Sequence, residues 1–270
     1  MWSFEMVAAM LAVGAVAGVI AGMFGVGGGT ILVPLVLWIL QMQGAENFQY
    51  AQHIAIGTSF AVMVFTSFAS ASAQYKRQAV DMDVLRAMVP GVLCGVAAGA
   101  LVAQYLPNKG LQVFFTLFIA ILAVRALLGI KPTPERQLPG RCGLFGMGGL
   151  FGLLSSWIGI GGGSLTVPYL TFCNVPVHRA VGTSAALGWP IAAAGAIGYA
   201  WAGWNQDGLP EGSAGFVYLP AAGILAAATL LSAPLGVRLS HKLPADKLKK
   251  GFGILLLLIA LRMAWKIVQS

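Results

Sequence analysis

Charge is what this 270-residue chain has least of. Its 16 Lys and Arg and 8 Asp and Glu make up 9% of the residues, against 58% hydrophobic. A soluble domain carries roughly 25% charged residues because its surface needs them, so a water-exposed surface is not expected here. All eight carboxylates lie in loops or at the edges of apolar stretches, which removes a buried Asp/Glu proton relay of the kind found in pumps. Cysteine is scarce too. Cys94, Cys142 and Cys173 form no CxxC pair and no even framework, and they read as small apolar residues. Three dispersed histidines and no buried carboxylate supply neither a nucleophile–base pair nor a metal cluster. An enzyme is therefore not expected, nor any cofactor or metal.

What is present instead is apolar sequence in blocks of about 20 residues, the length that spans a ~30 Å hydrocarbon core. Met6–Gly22, Val84–Val102, Leu111–Leu128 and Phe252–Ile267 are examples, and the mean hydropathy is +0.84. The first block lacks a basic n-region, with Glu5 its only preceding charge, and it runs straight into a glycine motif that recurs later. It reads as part of the fold and not as a signal peptide.

The chain repeats itself. At an offset of 134, Gly25, Gly27, Gly28, Gly29, Thr30 and Pro34 match Gly159, Gly161, Gly162, Gly163, Ser164 and Pro168. At an offset of 125, Gly57-Thr58-Ser59 with its leading His53 matches Gly182-Thr183-Ser184 with His178. Near each end, Leu106-Pro107 and Arg125 match Leu243-Pro244 and Arg262 at an offset of 137. Three matches in one order argue for duplication. The halves are about 1–130 and 142–270, joined by a polar, basic, proline-rich linker at 131–141, and together they form one transmembrane domain. Each half holds five apolar segments, near 6–24, 30–42, 53–73, 84–104 and 111–129, then 143–160, 164–173, 180–203, 215–237 and 251–267. Segments 30–42 and 164–173 reach only about 15–20 Å at 1.5 Å per residue, and they read as half-helices.

Basic residues set the orientation. Assigning the loops near 74–86, 125–141, 179 and 238–250 to the cytoplasm puts 13 basic residues inside and leaves Lys109, Arg262 and Lys266 outside. The loop at 74–82 then lies inside and its repeat mate at 204–213 outside, so the repeats are inverted. Each half crosses an odd number of times, three with a re-entrant hairpin or five. Inverted repeats with interrupted helices are a recurrent transporter design, with the site at the repeat interface. The same charge distribution accounts for the net charge of +8. It faces anionic lipid, and no basic stripe with interleaved aromatics points to nucleic acid.

The glycine strings Gly25–Gly29 and Gly159–Gly163 suit neither a Walker P-loop nor a dinucleotide fingerprint. No GK[ST] follows them, and no strand precedes them in a βαβ unit. Glycine runs break helices. Thr30 and Ser164 are good N-cap types, and Pro34 and Pro168 fit just past a helix start. Each string therefore reads as a break followed by a fresh helix N-terminus, an arrangement that attracts anions. In lipid, broken backbone is tolerated only where it is buried or lines a cavity. Close helix packing by the glycines is the competing reading. The hydroxyls of Thr58, Ser59, Thr183 and Ser184 could donate to an oxyanion or bond back to their own helices. His53 and His178 could couple protons or serve as interfacial structural residues. Arg125 and Arg262 could snorkel to the interface or line a vestibule.

The paired strings GMFGVGGGTILVP (Gly22–Pro34) and SWIGIGGGSLTVP (Ser156–Pro168), with the two downstream GTS strings, resemble the TauE/SafE family of sulfite-exporter-like permeases over almost the whole chain. Ser156 in place of Gly22 is the one departure. The resemblance implies transport of a small sulfur-containing anion, sulfite or an organosulfonate such as sulfoacetate, with export the expected direction. The expectation is an all-α polytopic protein of a bacterial-type plasma membrane, with two inverted repeats broken at glycine-rich turns. Its substrate site would comprise Gly25, Gly27, Gly28, Gly29, Thr30, Gly57, Thr58, Ser59, Gly159, Gly161, Gly162, Gly163, Ser164, Gly182, Thr183 and Ser184. An anion channel, or an uptake permease for another small organic anion, is the alternative. Partners are the anion and membrane lipid. The oligomeric state stays open, a homodimer among the options.

Overall fold

The computed structural model describes residues 4–24, 28–42, 49–129, 136–240 and 245–269. Ten helices fill these residues, five in each half. They are α1 Phe4–Phe24, α2 Gly29–Met42, α3 Ala51–Lys76, α4 Met82–Ala103 and α5 Asn108–Leu128, then α6 Arg141–Ile158, α7 Gly163–Phe172, α8 Val177–Ala202, α9 Leu219–Ser240 and α10 Ala245–Gln269. Each falls on one of the ten expected apolar segments. A two-stranded hairpin, β1 Ser213–Ala214 with β2 Val217–Tyr218, precedes α9. The sequence gives no sign of it, because two-residue strands are too short to show the period-2 alternation that marks a strand.

Among the described residues, six helices are long and apolar enough to cross a membrane: α3, α4 and α5 in the first half, and α8, α9 and α10 in the second. Ahead of the three long helices, each half has a broken pair, α1–α2 and α6–α7. At 14 and 10 residues, α2 and α7 reach only about 21 and 15 Å. Capping is visible where the chain turns between helices. The Asp81 carboxylate accepts from the N–H groups of Asp83 and Val84, both at 3.2 Å, at the start of α4. At the far end of α5, Gly129 stops the helix in the left-handed conformation.

The halves interleave. α4 packs on α6 and α1 on α9, α3 packs on α8 and α5 on α10, while α2 lies on α3 and α7 on α8. Exchanging the halves maps this set of pairings onto itself. Lipid provides no hydrophobic drive between helices, so close approach through small residues carries the packing. Between α4 and α6, Gly91 and Gly95 lie on the backbone of Phe145 and Gly149, while Gly148 and Gly152 lie on the carbonyls of Met88 and Val92. Between α1 and α9, Gly14 and Gly18 lie on Leu225, Ala228, Thr229 and Ser232, and Gly236 lies on the Val19 carbonyl. Gly14 and Gly18 are the repeat mates of Gly148 and Gly152 at the offset of 134, and Gly91, Gly95 and Gly99 are the mates of Ala228, Ser232 and Gly236 at 137. One interface has been built twice. Ser156, the departure from Gly22, lies against Gly99 and donates to the Leu153 carbonyl at 2.7 Å.

This geometry gives an expected result. Gly95→Leu forces α4 off α6 and costs about 1–3 kcal/mol, the usual penalty of overpacking. Gly223→Leu, at an exposed α9 position with nothing within 4 Å of an added Cβ, is neutral. Thermal unfolding of the detergent-solubilised variants measures both, and equal midpoints would mean the α4–α6 approach is looser than described.

Candidate anion site at the two helix breaks

The second break is described in full. α6 stops at Gly159, with φ +72°, whose N–H closes on the Ser155 carbonyl at 2.8 Å. α7 starts after Gly162, with φ +50°, whose carbonyl accepts from Leu165 N at 3.1 Å and Thr166 N at 2.8 Å. Side chains other than glycine are strained at such φ. In the first break, Gly25 and Gly27 lie outside the described residues. Gly28 has φ +82°, and its carbonyl accepts from Ile31 N at 3.0 Å and Leu32 N at 2.9 Å.

Two expectations are corrected here. The residues that lead into the new helices are Gly28 and Gly162, with Thr30 and Ser164 at the second helical position. The glycine carbonyls accept the first intrahelical bonds, and Gly162 brings no side chain to cap the N–H groups that follow. Pro34 and Pro168 are the sixth residues of α2 and α7, deeper than the first turn. Each removes the N–H that would close on the carbonyl of Thr30 or Ser164.

These displacements free the hydroxyls. Thr30 Oγ1 and Ser164 Oγ are buried with no hydrogen-bond partner among the described residues, as are Ser155 Oγ, Thr166 Oγ1 and Ser184 Oγ. The first N–H groups of a helix also have no intrahelical acceptor.

The breaks meet. Gly29 packs directly on the Gly159 carbonyl, and an added Cβ there would stand 3.0 Å from both Ile160 Cα and Met63 Sδ. Ser59 on α3 donates to the Ile56 carbonyl at 2.7 Å and lies 3.4 Å from the Gly159 carbonyl. Gly161 faces Met63 Sδ, Ser67 Oγ and Gly188 Cα, which lie 3.5, 3.8 and 4.0 Å from an added Cβ. Ser59, Met63 and Ser67 follow one another at helical i, i+4, i+8 spacing, so one stripe of α3 faces the second break. Ser184 and Gly188 are the α8 mates of Ser59 and Met63 at the offset of 125. Met63, Ser67 and Gly188 were not singled out from the sequence. The turn-by-turn spacing from each GTS serine is the signal that would have found them.

The rest of the GTS strings points elsewhere. Thr58 Oγ1 accepts from Tyr218 N at 3.0 Å, and Thr183 Oγ1 accepts from Asp81 N at 2.9 Å. Gly57 lies under the Phe216 carbonyl and Gly182 under the Ala79 carbonyl. Tyr218 and Phe216 are the mates of Asp81 and Ala79 at 137, so these too are one contact made twice. The buried His53 has Nε2 2.8 Å from the Ala103 carbonyl, and its ring is packed on Phe216 and Tyr50 at centroid distances of 5.0 and 5.6 Å. His178 is exposed at the start of α8. Neither histidine has a described contact with a break.

A helical protein with six membrane-length spans, and with two helix breaks that meet around buried, unengaged hydroxyls, belongs to the class of multi-pass membrane transporters. Residues 10–263 match the family described as "Sulfite exporter TauE/SafE", and the chain belongs to this transporter family. A probable membrane transporter protein of Haemophilus influenzae is 32% identical over 265 residues, covering 97% of this chain and 100% of its own. One from Methanocaldococcus jannaschii is 26% identical over 247 residues, 89% of this chain and 88% of its own. One from Bacillus subtilis is 27% identical over 196 residues, 65% of this chain and 71% of its own. No solved structure matches. Family and relatives are transporters, not enzymes.

Proposed function

We propose that the protein is a secondary transporter that exports a small sulfur-containing anion, sulfite or an organosulfonate, by alternating access between two inverted halves. The observation that carries this reading is that Thr30 Oγ1, Ser164 Oγ and Thr166 Oγ1, in the first turns of the two short helices, are buried without a hydrogen-bond partner among the described residues. Buried polar groups nearly always have a hydrogen-bond partner, and an oxyanion supplies acceptors for all of them. The helix N-termini add N–H groups and positive dipole ends. Among the described residues no charged side chain contacts the breaks, which suits a charge-sparing site, and conduction needs release as well as binding. The family's printed description supports the substrate class. The exchange-symmetric helix pairings support two equivalent halves, and the basic-residue bias supports their inversion.

Alternating access is favoured over a channel because the meeting point is sealed. Ser59, Ser184 and Ser67 are 0, 1 and 3% exposed, so substrate reaches them only if the halves move.

The test is flux in proteoliposomes with sulfite, sulfoacetate, thiosulfate and chloride, with and without a pH gradient. Saturable flux with counterflow of one sulfur anion is the expected result. Ser184→Ala then raises KM several-fold, on the scale of one lost hydrogen bond to a charged group, without lowering thermal stability. Non-saturable flux identifies a channel. Chloride flux alone removes the sulfur-anion class. A dependence on the pH gradient that survives both His53→Gln and His178→Gln removes histidine coupling.

A further inference from the structure

We propose that a cavity of about 340 Å³ between α2, α5 and α10 is an oxyanion-binding vestibule, through which the anion passes between water and the helix break at Gly28–Thr30. The inference rests on the functional reading above for the identity of the anion. The cavity itself stands on its own geometry.

Its mouth carries Lys109 from α5 and Arg262 and Lys266 from α10, with the amides of Asn108 and Gln112 beside them, and no carboxylate is among its described lining residues. Among the described residues, the ion pair found is Arg179–Asp81, elsewhere in the molecule. Arg262 and Lys266 stand at i and i+4 on α10, neighbours on one helix face, where like charges repel. Solvent screens part of that repulsion at these exposed positions, and an anion held among the three cations would remove the rest.

A second observation is independent of the cavity. The basic-residue bias leaves three cations on the less basic side of the membrane, and they are Lys109, Arg262 and Lys266. All three converge on this one cavity. The pairing of α5 with α10 brings the start of one helix and the end of the other to the same mouth.

Depth gives the cavity its function. Its wall follows α2 from Gln41 down to Pro34, seven residues or about 10 Å of helix. Pro34 stands four residues, about one turn, from Thr30. A mouth lined by one sign of charge concentrates counter-ions and speeds their capture. A cationic funnel therefore ends one turn short of the helix start where the hydroxyls lack partners. Direct binding there precedes, and does not require, transport.

Two tryptophans, Trp38 and Trp265, line the cavity and report on it. The test uses the whole protein in phosphatidylcholine nanodiscs, titrated with sulfate and with methanesulfonate while tryptophan emission is read. The wild type should show a saturable change that is lost in a W38F, W265F double variant. R262Q should weaken it by about tenfold or more, the loss of one charge-assisted contact, and R262K should largely restore it. Gly29→Ala, which blocks the helix break, should leave the signal intact, which separates the vestibule from the central site. In proteoliposomes R262Q should raise KM with kcat retained, and the gap from wild type should narrow with added salt. Three results overturn the proposal: no saturable change in the wild type, a change indifferent to R262Q, or a change produced by phosphatidylglycerol in the nanodisc and by neither free anion. The last would make the cavity a lipid-headgroup site. Absence of flux with the emission change retained would sink the transport reading and leave the oxyanion site standing.

Discussion

Gly29→Ala is expected to remove at least nine-tenths of the transport activity, on the scale of a penalty of about 1–3 kcal/mol placed on closure of the site. Its φ is helical and imposes no strain on alanine. The obstacle is space: the new methyl overlaps the Gly159 carbonyl and stands 3.0 Å from Ile160 Cα and Met63 Sδ. Those atoms belong to the other half's break and to α3, so the methyl wedges apart the elements that have to move against each other. Gly159→Ala adds a second cost at the same crossing, because its φ of +72° disfavours any side chain and the methyl would lie 2.8 Å from Val33 Cγ2. The measurement is initial flux, normalised to folded protein and compared with the unfolding midpoint of each variant. Gly223→Ala is the control. Flux falling in step with stability, as expected for Gly95→Leu, would show that the crossing is packing and nothing more. Wild-type flux in Gly29→Ala would show that the substrate path runs elsewhere.

Legibility in the sequence divides along physical lines. Helices set by blocks of apolar residues were readable, because a bilayer forces length and composition together. The glycine breaks were readable as breaks, since runs such as Gly161–Gly163 cannot propagate a helix cheaply. Their internal geometry was not. Thr30 and Ser164 have the chemistry of caps, yet the caps are Gly28 and Gly162, because a positive φ is a property of the folded backbone that residue type only permits. Met63 and Gly188 escaped notice for a related reason. A methionine and a glycine carry no polar signature, and only the packing of α3 and α8 on the second break brings them to it. The vestibule cations were visible as a topological remainder, but their convergence required α5 and α10 to be paired. Repeat offsets carried the most. The offset of 125 for α3 and α8 and the offset of 137 for α4 and α9 also relate contacts that no motif announces, including Thr58 with Tyr218 and Thr183 with Asp81.

That matched pair yields the second large effect. Thr58→Val keeps the shape of the side chain and deletes the oxygen that accepts the Tyr218 N–H, in a place where Tyr218 is 3% exposed. Losing the acceptor of a buried backbone donor costs about 1–3 kcal/mol. Thr183→Val does the same to the Asp81 N–H, but Asp81 is only half-buried and water can replace part of what is lost, so its cost falls near the lower end of that range. The two sites belong to opposite halves and share no partner, so the double variant should lose the sum of the two. Both threonines hold the chain that leads into the fourth helix of the opposite half, α9 or α4, across Gly57 or Gly182. Ser59, about 100° further round α3 than Thr58, faces the second break at the Gly159 carbonyl. Within a GTS string, glycine and threonine make the contact between the halves, and on the proposed reading the serine is the residue that serves the substrate. Thermal unfolding of Thr58→Val, Thr183→Val and the double variant, beside flux per folded molecule, separates these roles. Lowered midpoints with normal flux per folded molecule support the division. Unchanged midpoints with a raised KM would return both threonines to the substrate site and dissolve the distinction between lock and ligand.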